Sequence, residues 1–109
     1  MRLESAQELL QHELAVIINQ EVSMPGALLT VAYVDLSPDL KQAKIGLSVL
    51  PDKFYGSALA AARKSGGAVR SRLAKVLKWR VVPRLYWEID ARPKRVAELE
   101  EVFKQIETE

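Results

Sequence analysis

Cysteine is absent from this 109-residue chain, and histidine occurs once. No disulfide framework and no thiolate zinc site can form, so an oxidising compartment is not required. Long apolar runs are also missing, the longest falling far short of the ~20 residues that a membrane helix needs. The first eleven residues carry Glu4 and Glu8 and no contiguous apolar stretch, which argues against a signal peptide. A soluble cytoplasmic protein with no membrane partner is the expectation. Neither the phosphate-loop lysine motif nor G-x-G-x-x-G is present. At this length one domain, residues 1–109, built on one compact core is expected.

Acidic residues are missing from one third of the chain. Between Lys53 and Trp87 stand nine basic residues and no acidic one. The acids gather elsewhere, as Glu4, Glu8, Glu13 and Glu21 at the start and Glu98, Glu100, Glu101, Glu107 and Glu109 at the end. The formal net charge of +2 therefore conceals a segregated distribution. A merely solvated helix surface would intersperse the two signs. One-signed segregation instead makes a positive face that attracts polyanions by steering and counterion release.

The 49% hydrophobic content is patterned. Leu3 to Val22 reads as an amphipathic helix, with Leu3, Ala6, Leu10, Leu14 and Ile17 recurring every three or four residues. Ser23-Met24-Pro25-Gly26 ends it. Leu28 to Ser37 is rich in β-branched and aromatic residues, Ser37-Pro38-Asp39 is a turn, and Lys41 to Leu50 alternates with Ala43, Ile45, Leu47 and Val49 on one face. Together these predict an antiparallel hairpin with one buried face. Asp52 is a candidate N-cap for a helix over about Lys53 to Lys64. Ser65-Gly66-Gly67 interrupts it, because two glycines cost about 2 kcal/mol in a helix interior. A second helical piece resumes near Ala68, with Val69, Leu73, Val76 and Leu77 as its stripe, and Pro83 bars further helix. Arg84 to Asp90 alternates as a third strand. Lys94 to Ile106 predicts a last helix, entered through Pro93. The expected class is α+β, in the order α-β-β-α-kink-α-β plus a C-terminal helix, with a three-stranded sheet packed on helices.

Catalytic chemistry has little to work with. His12 falls on the polar face of the first helix, and no second histidine or cysteine completes a metal site. Asp35 and Asp39 flank the hairpin turn, where turn and cap duties account for them better than a carboxylate pair. No enzyme activity, cofactor or metal is expected. Binding chemistry gathers instead around the kink. Arg63 and Lys64 precede Ser65, Gly66 and Gly67, and Arg70 follows. Arg72, Lys75 and Trp79 are expected on one helical face with Lys78 alongside, and Arg80 comes next. Glycine backbone N–H groups at a helix start can approach phosphate oxygens, arginines add forked contacts, and an exposed tryptophan offers a stacking platform. For Trp79, packing at the helix end is an equal alternative, as is a purely structural bend for the glycine pair.

Several blocks resemble the bacterial ribosome-binding factor A family. They are Thr30-Val31-Ala32-Tyr33-Val34-Asp35-Leu36-Ser37, then Asp39-Leu40 and Ala43-Lys44-Ile45. A second set is Arg70-Ser71 through Leu73, Leu77, Arg80-Val81-Val82-Pro83 and Leu85, and a third is Asp90 with Arg95-Val96 and Leu99. The resemblance implies a type II KH-like fold and a monomeric, non-catalytic RNA-binding protein of small-subunit assembly. It would engage 16S rRNA in free 30S subunits, assist maturation of the rRNA 5′ end, act beside other small-subunit assembly factors and matter most in the cold. Ordinary KH domains clamp RNA backbone through a G-x-x-G loop, where this family has an Ala-x-Gly kink. Ser65-Gly66-Gly67 aligns there, with serine in place of the alanine. Pro25-Gly26 also departs from the family's Asp-Pro-Arg.

Electrostatic docking of the basic helix–kink–helix face on rRNA is thus the leading expectation. Replacing Arg70, Arg72 and Lys75 by glutamate is expected to abolish binding and leave folding intact. A generic KH-type module for single-stranded nucleic acid, and a protein–protein adaptor using the sheet or the acidic C-terminal helix, are the alternatives. An adaptor predicts weak salt dependence, whereas nucleic-acid affinity falls steeply with salt.

Overall fold

The computed structural model describes residues 2–92, 99 and 100. The expected helix over Lys94 to Ile106 lies outside the described residues except for Leu99 and Glu100. Helix α1 spans Leu3–Glu21 and buries Ala6, Leu10, Leu14, Ile17 and Ile18, so the three-to-four spacing turns one stripe inward. His12 is exposed on its outer side. Pro25 and Gly26 then form a tight turn closed by the Ala27 N–H on the Met24 carbonyl at 3.1 Å, with Gly26 at φ +84°, a value that glycine adopts without Cβ strain.

Strands β1 (Leu28–Leu36) and β2 (Gln42–Leu50) form the expected antiparallel hairpin. The Ser37 hydroxyl donates to the Asp39 carboxylate at 2.6 Å, and the Lys41 N–H reaches the same oxygen at 3.0 Å. These bonds hold the Asp39 carboxyl below its ordinary value, the Ser37 bond first. Asp39 thus has its turn duty. Asp35 does not, because it sits within β1 directly opposite Lys44. Strand β3 (Arg84–Ile89) pairs in parallel with β2, giving the order β1-β2-β3.

Helix α2 spans Tyr55–Lys64 and α3 spans Gly66–Leu77. Two boundaries differ from expectation. Asp52 is no helix cap: Asp52–Phe54 is a 3₁₀ turn whose first bond runs from the Phe54 N–H to the Pro51 carbonyl, and α2 follows it. The interruption at the kink is also shorter than the sequence suggests. Ser65 alone breaks the helix, at φ −87° and ψ 0°, and Gly66 and Gly67 already belong to the first turn of α3. Glycine's cost is the backbone entropy lost in a helix interior, and it weighs less in a terminal turn.

Helix α1 runs beside β1 and α3, while α2 lies against β3. Their apolar faces join one core with Val34, Leu36, Ile45, Leu47 and Val49 of the sheet and Val69 and Leu73 of α3. Along α1, Gln7 accepts the Leu36 N–H at 2.8 Å and Gln11 donates to the Ala32 carbonyl at 3.3 Å. Ala32 is the extra residue of a bulge between Val31 and Tyr33, so these glutamines pair backbone groups that β2 leaves unpaired. The helices occupy one face of the sheet. Strand alternation puts Asp35, Lys44, Arg84, Tyr86 and Glu88 on the other.

Candidate nucleic-acid interface

The kink is fastened to the body of the protein. The Ser65 hydroxyl donates to the Glu21 carbonyl at 3.4 Å, tying the α2–α3 junction to the end of α1. Serine at this position is therefore used structurally. Gly67 is exposed and Gly66 half-buried, with no heavy atom closer than 4.0 Å to a Cβ placed on either. The approach to the backbone at the start of α3 is open.

Val69, Leu73 and Leu77 fix which way α3 faces. Ser71 and Lys75 then point most directly outward, and Arg70 and Arg72 leave on opposite flanks. Arg70 donates to the Val82 carbonyl at 3.0 Å, bracing the connection into β3. Arg72 turns toward α1, where it bonds the Gln20 amide oxygen and pairs with Glu21 at 2.5 Å. Both arginines remain exposed, but each already has a partner, and the Arg72 charge is offset by Glu21. The Arg70, Arg72 and Lys75 triple therefore also removes contacts within the protein, so its effect on binding includes a stability component. Removing the Arg72–Glu21 pair costs about 0.2–1 kcal/mol by itself.

Trp79 and Lys78 depart from the expected helical face. Helix α3 ends at Leu77, and Lys78 turns the chain away in the left-handed conformation at φ 54°. Trp79 then folds back against the core, half-buried, with its indole N–H buried and unpaired among the described residues. The packing alternative holds, and Trp79 is not the exposed stacking platform. Arg63, Lys64, Lys75, Lys78 and Arg80 are exposed, and among the described residues their side chains have no ion pair or hydrogen bond. Arg63 and Lys64 stand at the kink itself, Lys75 lies in the last turn of α3, and Lys78 and Arg80 follow its far end, about 18 Å along the helix.

A second cluster escaped the sequence reading. At the end of β3, Asp90 is buried and continues the parallel ladder through its N–H on the Leu47 carbonyl at 2.8 Å. Arg92 clamps its carboxylate with Nε at 2.8 Å and Nη2 at 3.0 Å, and the guanidinium lies 5.1 Å from the centre of the Tyr33 ring. Burial raises the Tyr33 phenol above its ordinary 10.0, helped by its hydrogen bond to Glu88. The Arg92 hydrogen bond holds the Asp90 carboxyl below its ordinary 3.8. A carboxyl whose pKa is lowered by folding stabilises fully above its unfolded value and loses that contribution as pH falls through the folded one. Asp90→Asn is therefore expected to lower the urea midpoint at pH 7, and its deficit against the wild type is expected to shrink progressively as pH falls below 3.8, as fluorescence-detected unfolding across a pH series would show. The available signal was an aspartate at the end of the third strand followed two residues later by arginine.

Comparison with known proteins bears on this geometry. Residues 2–103 match the ribosome-binding factor A family. This chain belongs to that family. Ribosome-binding factor A of Natranaerobius thermophilus is 33% identical over 108 residues, covering 97% of this chain and 82% of that protein. The crystal structure of ribosome-binding factor A from Thermus thermophilus superposes with a TM-score of 0.69 at 26% identity, covering 79% of this chain and 92% of that one. A homology model of ribosome-binding factor A from the same species, fitted into a cryo-EM map of a 30S complex, is 27% identical, also with a TM-score of 0.69, over 78% of this chain and 91% of that chain. The α+β fold expected from the sequence is thus the fold of the ribosome-binding factor A structures. No helix of the described residues is long and apolar enough to cross a membrane.

Proposed function

We propose that the chain acts as one KH-like RNA-binding domain that docks on 16S rRNA of the immature 30S subunit and assists its assembly and 5′-end maturation. Charge placement carries this reading: nine basic residues without an intervening acid, of which Arg63, Lys64, Lys75, Lys78 and Arg80 are exposed along α2, α3 and the end of α3 and, among the described residues, unpaired, beside a kink whose glycine backbone is open. Family membership and the Thermus thermophilus relative's place in a 30S complex support it. The mechanism is electrostatic docking of the α2–kink–α3 surface, which favours one rRNA conformer by binding it more tightly than its competitor. No catalytic step is required. The protein acts as a cytoplasmic monomer beside other assembly factors, with its greatest demand in the cold.

Sedimentation of the tagged protein with cell lysate through sucrose gradients, at low and moderate salt, tests this. Migration with free 30S particles, but not with 70S ribosomes or polysomes, is the expected result. Protein that stays at the top in both salts while 30S particles are present would overturn the ribosomal reading. Binding to short oligonucleotides alone would then favour a generic single-stranded module, and salt-insensitive capture of a protein an adaptor.

A further inference from the structure

The helix-free face of the sheet carries an exposed aromatic that the core does not use. Tyr86 is 44% exposed in the middle of β3, while its neighbours Leu85 and Trp87 turn inward to the core. In the parallel register Tyr86 stands opposite Lys44, and Arg84 stands opposite Gln42. Side chains of such neighbours share one face within reach of each other. Lys44 and Arg84 are exposed, and among the described residues neither side chain has an ion pair or hydrogen bond. A groove of about 300 Å³ is lined by Tyr86, Lys44 and Gln42 and, on the β1 side, by Asp35 and the Ser37–Pro38 turn, with Arg84 just outside it, opposite Gln42. That is the small end of the range of about 300–1,000 Å³ in which proteins hold small ligands.

We propose that this groove is a second single-stranded RNA contact, in which Tyr86 stacks an unpaired base and Lys44 and Arg84 hold the flanking phosphates. The proposal rests on the RNA-binding reading above and adds a separate surface to it. Sheet-based RNA readers work by the same physics: every base has a π-face for an aromatic side chain, and the adjoining cations take the backbone. The charge arrangement gives the strand a direction. Asp39 is engaged by Ser37 and Lys41, Asp35 repels phosphate from the β1 side and Glu88 from the far end of β3, leaving the path past Lys44 toward Arg84 as the favourable one. The kink surface lies on the helix-covered face and is separate from this path, which begins at Arg84, whose N–H is anchored on the Lys41 carbonyl at 2.8 Å. Backbone contacts and stacking dominate the groove, so base preference is weak.

The test uses the full chain and a 4-thiouridine RNA hexamer, photocrosslinked and mapped by peptide mass spectrometry. An adduct on Tyr86 or its immediate neighbours is expected. Tyr86→Ala is expected to weaken hexamer binding by about five- to a hundredfold, with Tyr86→Phe close to wild type. The Lys44→Gln/Arg84→Gln pair is expected to reduce the slope of log affinity against log salt by about 1.4. Circular dichroism confirms folding of each variant, and the wild-type adduct reads out the site even if a variant fails to fold. Adducts confined to the kink, with Tyr86→Ala binding the hexamer like wild type, would overturn the sheet contact. The 30S reading is judged separately. Wild-type protein that crosslinks through Tyr86 but ignores immature 30S particles sinks that reading and leaves the groove standing. If Tyr86→Ala binds hexamer and subunit like wild type while charge reversal at the kink abolishes 30S binding, only the groove is lost.

Discussion

Arg63→Glu/Lys64→Glu/Lys75→Glu protein is expected to bind immature 30S subunits at least about a hundredfold more weakly than wild type at 0.1 M salt, with a salt slope reduced by about three. The three positions flank the kink or point outward from α3, and among the described residues none of their side chains has a protein partner. Each reversal removes one counterion-releasing contact and places an acid against phosphate. Folding is expected to survive, since no core contact changes, and a urea midpoint within experimental scatter of wild type would show it. Arg72→Glu provides the contrast. It breaks the tie to Gln20 and sets a like charge beside Glu21, so it lowers stability as well as affinity. Filter binding of labelled subunits across a salt series measures both quantities. An unchanged slope in the triple variant would remove the kink surface as the docking site.

Much of the fold was legible because the periodic signals were strong and local. The stripe of α1, the alternation of β2 and the breaks at Pro25-Gly26 and Ser37-Pro38 all stand where the structure has them. Propensity misled where position within an element matters more than composition. Gly66 and Gly67 read as a gap because interior glycines are costly, yet in the first turn of α3 that cost weighs less. Asp52 has the right chemistry for a cap, but the helix begins one turn later, beyond a 3₁₀ segment. The partner of β3 was not legible. Its parallel pairing with β2 depends on how the helices cross over, which no local pattern encodes.

The candidate site was legible in charge and less so in geometry. Residues 53–87 announced a cationic surface, but nothing local distinguished cations that are committed to the protein from those that are free. Arg70 and Arg72 are equally basic in the sequence as Lys75, and only packing reveals that they brace Val82 and Glu21. Trp79 failed as an exposed stacking residue because the left-handed turn at Lys78 redirects it into the core. The better-placed aromatic is Tyr86, on a strand whose alternation had assigned its direction correctly.

Gly46 offers the sharpest test of the sheet's outer face. Alternation puts it among the polar residues of β2, yet it is buried, because the Tyr33 ring lies across it. A Cβ at this position would fall 2.1 Å from the Tyr33 Cε1, well inside contact distance. The ring cannot swing aside freely, since the Arg92 guanidinium lies over it, held in turn by the Asp90 carboxylate. Gly46→Ala is therefore expected to destabilise the protein by about 1–3 kcal/mol, although alanine is the better strand residue. Tyr33→Ala removes the obstacle, and in that background the same Gly46→Ala change is expected to be neutral or to stabilise by about 0.5–1 kcal/mol through reduced backbone entropy. The coupling between the two positions should thus equal the whole penalty of the single substitution or exceed it by the gain seen in the Tyr33→Ala background. Urea unfolding of the four proteins in the cycle measures it. Additive effects would mean that glycine is needed at position 46 for some reason other than the ring, and the close approach of Tyr33 would no longer explain why a strand carries glycine at its centre.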